Sequence, residues 1–344
     1  MAAELELHLS RRDNVGAGSD VRSIGVYGFD FGGHRGRGLR LRKRGRGQGE
    51  NHDKNREHGK IITLINQILK KFVLFLAIYS FTAGITSGQE AVEPDRPDVT
   101  NGTHIVDIGL LQLEIGGLYT HAAVGEHAAG TPITARVGLA DWLEARIGTD
   151  GFLAQQSGSA TATGLGNLQI GAKLRLWADP GGLPVLSILP AVNVPTASAD
   201  KGLGSGAADY TLAVLTGKDI ARHAHVDVNY GIGAIGVGEG APHFLQHLVS
   251  ISASAAVTDN WNPYVEAFWF SREEVDGRAS VAMDAGAIYE LGERYALDGG
   301  VQLGVTSNAP RIAVFGGVTI IVGDILGGHG VHARQRQLAR RRRP

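Results

Sequence analysis

From Ile105 to Val322 the chain alternates apolar and polar residues in one stretch after another, each about as long as a membrane-crossing strand and each followed by turn residues. Leu168-Gln-Ile-Gly-Ala-Lys-Leu-Arg-Leu176, Val226-Asp-Val-Asn-Tyr-Gly-Ile232 and Tyr295-Ala-Leu-Asp-Gly-Gly-Val-Gln-Leu-Gly-Val305 show the pattern best. Successive side chains of a strand point to opposite faces, so one face of each stretch suits lipid and the other suits water. The reading is all-β: a transmembrane, antiparallel, up-and-down β-barrel of about twelve strands in a bacterial outer membrane. A soluble lipocalin-like barrel or sandwich also alternates, but it does not call for so apolar an outward face on nearly every strand.

Composition narrows this further. With 43% hydrophobic residues the mean hydropathy is still only -0.03. Beyond the N-terminal region no run reaches the roughly 18 apolar residues that a membrane helix needs. Fifty glycines against eleven prolines suit strands that bend around a barrel and leave room inside it. The chain has no cysteine, which excludes disulfides and thiolate metal sites. A net charge of -1 argues against a nucleic-acid partner for the body of the chain.

Residues 1–60 are rich in Arg and Gly, as in Gly32-Gly-His-Arg-Gly-Arg-Gly38, without periodicity, and are expected to be disordered. Residues 61–88 read as a secretory signal peptide: Lys70-Lys71, the apolar run Phe72 to Phe81, then small residues with Thr86 and Gly88 before Gln89. A membrane anchor is the competing reading, but the run is short for one. A signal peptide opens a chain, so residues 1–60 read as a mis-assigned start, although no Met lies between Met1 and Met283. Residues 89–104 are expected to be a periplasmic linker, 105–322 the barrel, and 323–344 a disordered tail ending Arg340-Arg-Arg-Arg-Pro344. Strands are expected at about 105–120, 131–140, 142–151, 166–178, 183–195, 208–217, 221–235, 243–257, 261–272, 278–291, 294–306 and 311–322. Tight turns such as Ala140-Asp141-Trp142 and Thr258-Asp-Asn260 alternate with longer links such as Gln155 to Gly164 and Ala197 to Gly206. Outer-membrane barrels keep short turns on the periplasmic side, which puts both termini there.

Several motifs carry a family resemblance. Glu93-Pro-Asp-Arg-Pro-Asp-Val-Thr100, Gly109-Leu-Leu-Gln-Leu-Glu-Ile-Gly116, Arg136-Val-Gly-Leu-Ala-Asp-Trp-Leu-Glu-Ala-Arg-Ile-Gly148, Gly164-Leu-Gly-Asn-Leu-Gln-Ile-Gly-Ala-Lys173 and Leu297-Asp-Gly-Gly-Val-Gln-Leu-Gly-Val-Thr306 resemble, in this order, the outer-membrane family named for the meta-pathway of phenol degradation. The resemblance implies a transporter and leaves the substrate open. It also implies the barrel-assembly machinery as a partner, besides outer-membrane lipid and a small solute. The chain departs from the family in its N-terminal extension and in a tail where such barrels end on an aromatic residue of the last strand.

Assigning the polar parity of each strand to the lumen puts Arg136, Arg146, Lys173 and Arg175 on one arc and Asp227, Glu266, Asp284 and Asp298 on the facing arc, near mid-height. In an aqueous lumen, opposed arcs set a transverse field that orients dipolar solutes. The alternative is that the charges pair and merely fill a narrow lumen. Tyr264, Phe268 and Phe270 share the inward parity, as contacts for aromatic solutes or as packing. An enzyme would need a nucleophile beside a base. Ser250, Ser252 and Ser254 face in while His243 and His247 take the other parity, and no Gly-x-Ser-x-Gly occurs. His223 and His225 lie at the opposite strand end from His243 and His247, so no zinc set and no cofactor is expected. The function this supports is a pore for small solutes, aromatic ones among them. The alternative is a plugged barrel with a structural or surface role.

Overall fold

The computed structural model describes residues 92–96, 99–178, 182–221 and 223–327. The expected extension 1–60, the expected signal peptide 61–88 and all but the start of the expected 323–344 tail lie outside them. Among the described residues there are fifteen strands: β1 (Leu110–Ala123), β2 (Glu126–Gly130), β3 (Ile133–Ala140), β4 (Leu143–Thr149), β5 (Phe152–Ser157), β6 (Ala160–Leu165), β7 (Leu168–Trp177), β8 (Val185–Val194), β9 (Asp209–Ala221), β10 (Ala224–Ile235), β11 (Phe244–Ala255), β12 (Trp261–Phe270), β13 (Ser280–Glu290), β14 (Tyr295–Gly304) and β15 (Ile312–Asp324). Every pairing between them is antiparallel, and β15 returns to β1 from Leu110↔Asp324 to His121↔Ile312, which closes the barrel.

Three short breaks, at Thr131-Pro132, Asp150-Gly151 and Gly166-Asn167, divide β2 from β3, β4 from β5 and β6 from β7, so the fifteen strands make a 12-strand barrel. The breaks lie side by side: Thr131 N donates to Phe152 O at 3.1 Å and Asp150 N to Asn167 O at 3.2 Å. Pro132 has no N–H for a ladder, and Gly151 has φ 66° with an added Cβ only 1.9 Å from Thr131 O, so no other residue fits there. Above the breaks β1, β2, β5 and β6 project as a lip. This corrects the expectation of a loop at Gln155 to Gly164, which is the β5–β6 hairpin. Its Ser, Ala, Thr and Gly residues resemble a flexible link because only a small part of the lip is apolar, where Leu153 and Ala162 pack on Ala197 and Leu203. Several boundaries also move: the first strand spans Leu110–Ala123 instead of 105–120, β9 runs to Ala221 instead of 217, and the last strand runs to Asp324 instead of 322.

The tight turn at Asp141-Trp142 shares one end of the barrel with Leu110 and Asp324, where β1 begins and β15 stops, while the longer links 195–208, 236–243, 271–279 and 305–311 share the other. The outer face is apolar, with Val214, Val228, Val249, Ile251, Val301 and Val314 exposed, and Trp142, Trp177 and Trp261 sit at its turn end. Polar side chains such as Gln112, Asn229 and Gln302 are buried inside. A closed ladder leaves no unpaired edge in lipid, and an apolar belt above an aromatic girdle is what the hydrocarbon region requires. The protein is therefore an outer-membrane barrel. On one side of the lumen Leu189, Ala213, Leu215, Leu248, Phe268, Phe270, Ala282 and Ala309 form a buried apolar cluster.

Candidate functional site: a charged lumen and the segment inside it

The segment 92–107 touches almost every side of the wall from within. Lys173 Nζ on β7 donates to its Gly102 and His104 carbonyls at 2.8 and 3.1 Å. Asn229 Nδ2 on β10 donates to Asn101 O at 3.1 Å, and Arg175 to Thr103 O at 3.4 Å. Glu266 on β12 accepts from Val99 N at 3.0 Å and from both the amide and the hydroxyl of Thr100. Arg96 pairs with Asp298 on β14 at 3.2 Å and reaches Gly316 O on β15 at 3.3 Å. A chain that contacts β7, β10, β12, β14 and β15 at once lies in the lumen. The described part of residues 89–104 is thus held inside the barrel and is not a free linker. The segment leaves at the turn end, where Ile108 bridges Gly138 of β3.

The strongest set of contacts surrounds Asp95. Its Oδ2 lies 2.6 Å from Lys173 Nζ, 2.9 Å from Arg146 Nη1 and 3.4 Å from Arg136 Nη2. Arg136 also donates to Glu114 Oε1 and to Glu144 Oε1, each at 2.8 Å. All of these side chains are nearly or wholly buried. Charges at this depth persist only when paired and hydrogen-bonded, and removing one partner of such a set costs about 3–5 kcal/mol. Asp95 therefore ties the segment firmly to the wall, yet by side chains alone and without strand pairing.

Glycines on the wall make room for what crosses the lumen. An added Cβ on Gly116 would fall 2.0 Å from Arg96 Nη1, and one on Gly317 2.8 Å from Arg96 Nε. The Tyr264 ring lies in the same way over Gly286. The alternating parity that turns these glycines inward is what lets Arg96 reach Asp298.

The expected basic arc, Arg136, Arg146, Lys173 and Arg175, does come together on β3, β4 and β7. Glu266 and Asp284 are direct cross-strand partners, and Asp284 faces Gln302 in turn. Glu266 and Asp284 lie near the middle of β12 and β13, whereas Arg175, Asp227 and Asp298 sit lower, two or three residues from their strand ends. Asp227 lies 3.2 Å from His225 Nε2, and His225 also meets Asp219 at 2.7 Å. The two arcs do not face each other across open water, because residues 92–107 stand between them. Tyr264, Phe268 and Phe270 are buried, and Phe268 and Phe270 belong to the apolar cluster against which Val99 packs. Three participants were not singled out. Glu114 and Glu144 share the inward parity of Gln112 and Arg146, so parity alone would have found them. Asp95 carries no periodic signal, only its place in Glu93-Pro-Asp-Arg-Pro97.

Of the inward serines, Ser250 and Ser252 lie across from Asn229 and Asp227, while Ser254 is the cross-strand partner of His225. His247 faces outward with its Nδ1 2.9 Å from the Tyr230 hydroxyl, and His243 Nε2 lies 2.8 Å from Ala208 O. No group of three or more His, Cys, Asp or Glu residues suited to a metal ion occurs among the described residues.

The sequence model of the family described as "Putative MetA-pathway of phenol degradation" matches residues 94–320, which takes in Asp95 as well as the wall. Among solved structures, an outer-membrane channel from Pseudomonas putida F1 is similar with a TM-score of 0.50 at 12% identity, covering 69% of this chain and 99% of that one. The NanC porin gives a TM-score of 0.46 at 9% identity over 60% of this chain and 98% of that one. The CymD monoaromatic hydrocarbon channel gives 0.37 at 8% identity over 64% and 90%. No curated protein matches the chain in sequence.

Proposed function

Because the chain belongs to the family of the MetA-pathway of phenol degradation, we propose that this outer-membrane barrel is a pore for small solutes, aromatic ones among them, and that residues 92–107 occupy the conduction path until they are displaced. The observation that carries this reading is the kind of contact holding the segment. Most of its contacts to the wall are ion pairs and hydrogen bonds, beside apolar contacts of Val92 and Val106 with Leu110, Ala296 and Ile321 and of Val99 with the Phe268 cluster, and the described part of it adds no strand to the sheet. A permanent filling would more naturally pair into the sheet as an added strand. The apolar cluster with Phe268 and Phe270 supports the choice of aromatic solutes, since a ring gains by leaving water for such a surface.

The second reading, a barrel that stays plugged and serves a structural or surface role, is favoured by how deeply Asp95 is paired. Single-channel conductance separates the two. Refolded protein lacking residues 92–104 should conduct steadily, and the full chain should conduct in rare or small openings. A full chain that never opens under voltage or with added solute supports the structural role.

A further inference from the structure

The charges around Asp95 balance only while Asp95 is present. The wall supplies three cations to this cluster, Arg136, Arg146 and Lys173, and two carboxylates, Glu114 and Glu144. One positive charge remains, and the segment provides one carboxylate oxygen to meet it, with all three cations converging on Asp95 Oδ2. Lys173 and Arg136 are wholly buried and Arg146 nearly so, so when Asp95 leaves, that charge is uncompensated in a confined space. Four residues further on, Val99 rests against the apolar cluster of Leu248, Phe268 and Phe270. The segment thus presents a carboxylate to a cationic cradle and an aliphatic group to an apolar surface.

Resting on the pore reading above, we propose that the Arg136, Arg146 and Lys173 cradle is the solute site, that its ligand is a small monocarboxylate with an apolar body, and that Asp95 is an internal stand-in for that ligand. The solute competes with Asp95 for the cradle, so its binding and the release of the segment are one event. A ligand that favours the released state shifts the population only by its differential affinity. An intramolecular competitor acts at an effective concentration on the order of millimolar, so free solute acts in that range or above. An uncharged aromatic of the same size has nothing to offer the cradle and leaves the segment in place.

The chain contains no cysteine, so a Val99→Cys variant carries a unique thiol on the segment. Its rate of reaction with a charged maleimide reports release, and the substitution removes no hydrogen-bonding side chain. Benzoate in a chloride buffer should accelerate labelling severalfold, and benzyl alcohol should not. Calorimetry on the otherwise unaltered chain and on Asp95→Asn should show benzoate binding at least tenfold tighter in the variant, where the competitor is gone. Labelling indifferent to benzoate together with unchanged affinity in Asp95→Asn would overturn the proposal, and so would benzyl alcohol acting as strongly as benzoate. Benzoate-driven labelling without conductance in any form would leave the site standing and remove the pore. Conductance on deletion of residues 92–104, with no response to benzoate, would do the reverse.

Discussion

Two neighbours on β14, Val301 and Gln302, should respond in opposite ways to the same substitution. Val301 is exposed on the outer face, while Gln302 is buried in the lumen beside Asp284. Tyr289 at the level of Leu297, and Tyr295 below it, mark the turn end of this part of the wall. With about 3.4 Å of rise per residue and a tilt of roughly 40°, Val301 sits about 10 Å above Leu297 and about 16 Å above Tyr295. That is close to the middle of an apolar band about 25 Å tall. Val301→Arg should therefore cost about 2–4 kcal/mol, the depth-dependent cost of a guanidinium near the midplane. Gln302→Arg places the same group inside, next to the Asp284 carboxylate that can pair with it, and should cost less than Val301→Arg does. Urea unfolding from lipid vesicles measures both, and the comparison requires the slope to stay the same in each. Equal losses at the two positions, or the larger loss at Gln302, would refute the assignment of inner and outer faces.

Other expectations follow from the same geometry. Changing Arg146 and Arg175 together to Ser should move the reversal potential of the conducting form toward cation preference, and changing Asp284 and Asp298 to Asn should move it toward anions, because the sign of pore-lining charge governs which ion enters. A reversal potential that ignores both pairs would make the charges mere filling. Gly116→Ala puts a Cβ where Arg96 Nη1 now lies, 2.0 Å away, so Arg96 should lose Asp298 and openings in planar bilayers should become more frequent. Unaltered openings would mean that Arg96 does not hold the segment. Mass spectrometry of the outer-membrane fraction should recover no peptide from residues 1–88, since a signal peptide is removed on export. Peptides covering Glu4 to Arg46 would overturn that reading.

Most of the wall was legible because lipid enforces strict alternation. A strand with an apolar outside and a wet inside cannot hide its period of two, and β8 to β14 fall close to where the pattern put them. Legibility failed where that constraint lapsed. The β5–β6 hairpin rises above the breaks at Asp150-Gly151 and Gly166-Asn167, and there Ala160-Thr-Ala-Thr163 reads as a flexible loop. The lumen segment failed for a different reason. Its conformation is set by partners scattered from Glu114 to Asp298, and no local period records contacts of that separation. The facing arcs could be read from parity, but what stands between them could not. Asp95 pairs with residues 41 to 78 positions away, which only the closed barrel brings together.

Asp95 and Arg96 are consecutive, yet they lead to opposite ends of the chain's fold. One binds β3, β4 and β7, the other β14 and β15, and between these groups runs the joint where β1 meets β15. That joint pairs Leu110 with Asp324, the most distant partners in the wall, and closing so long a loop carries the largest entropic cost of any pairing in the ladder. Two adjacent residues that grip both sides of it bind the closed joint a second time from within, much as a lining stitch backs a seam. Chains lacking Asp95 and Arg96 should then lose hydrogen-exchange protection first along the β1–β15 joint.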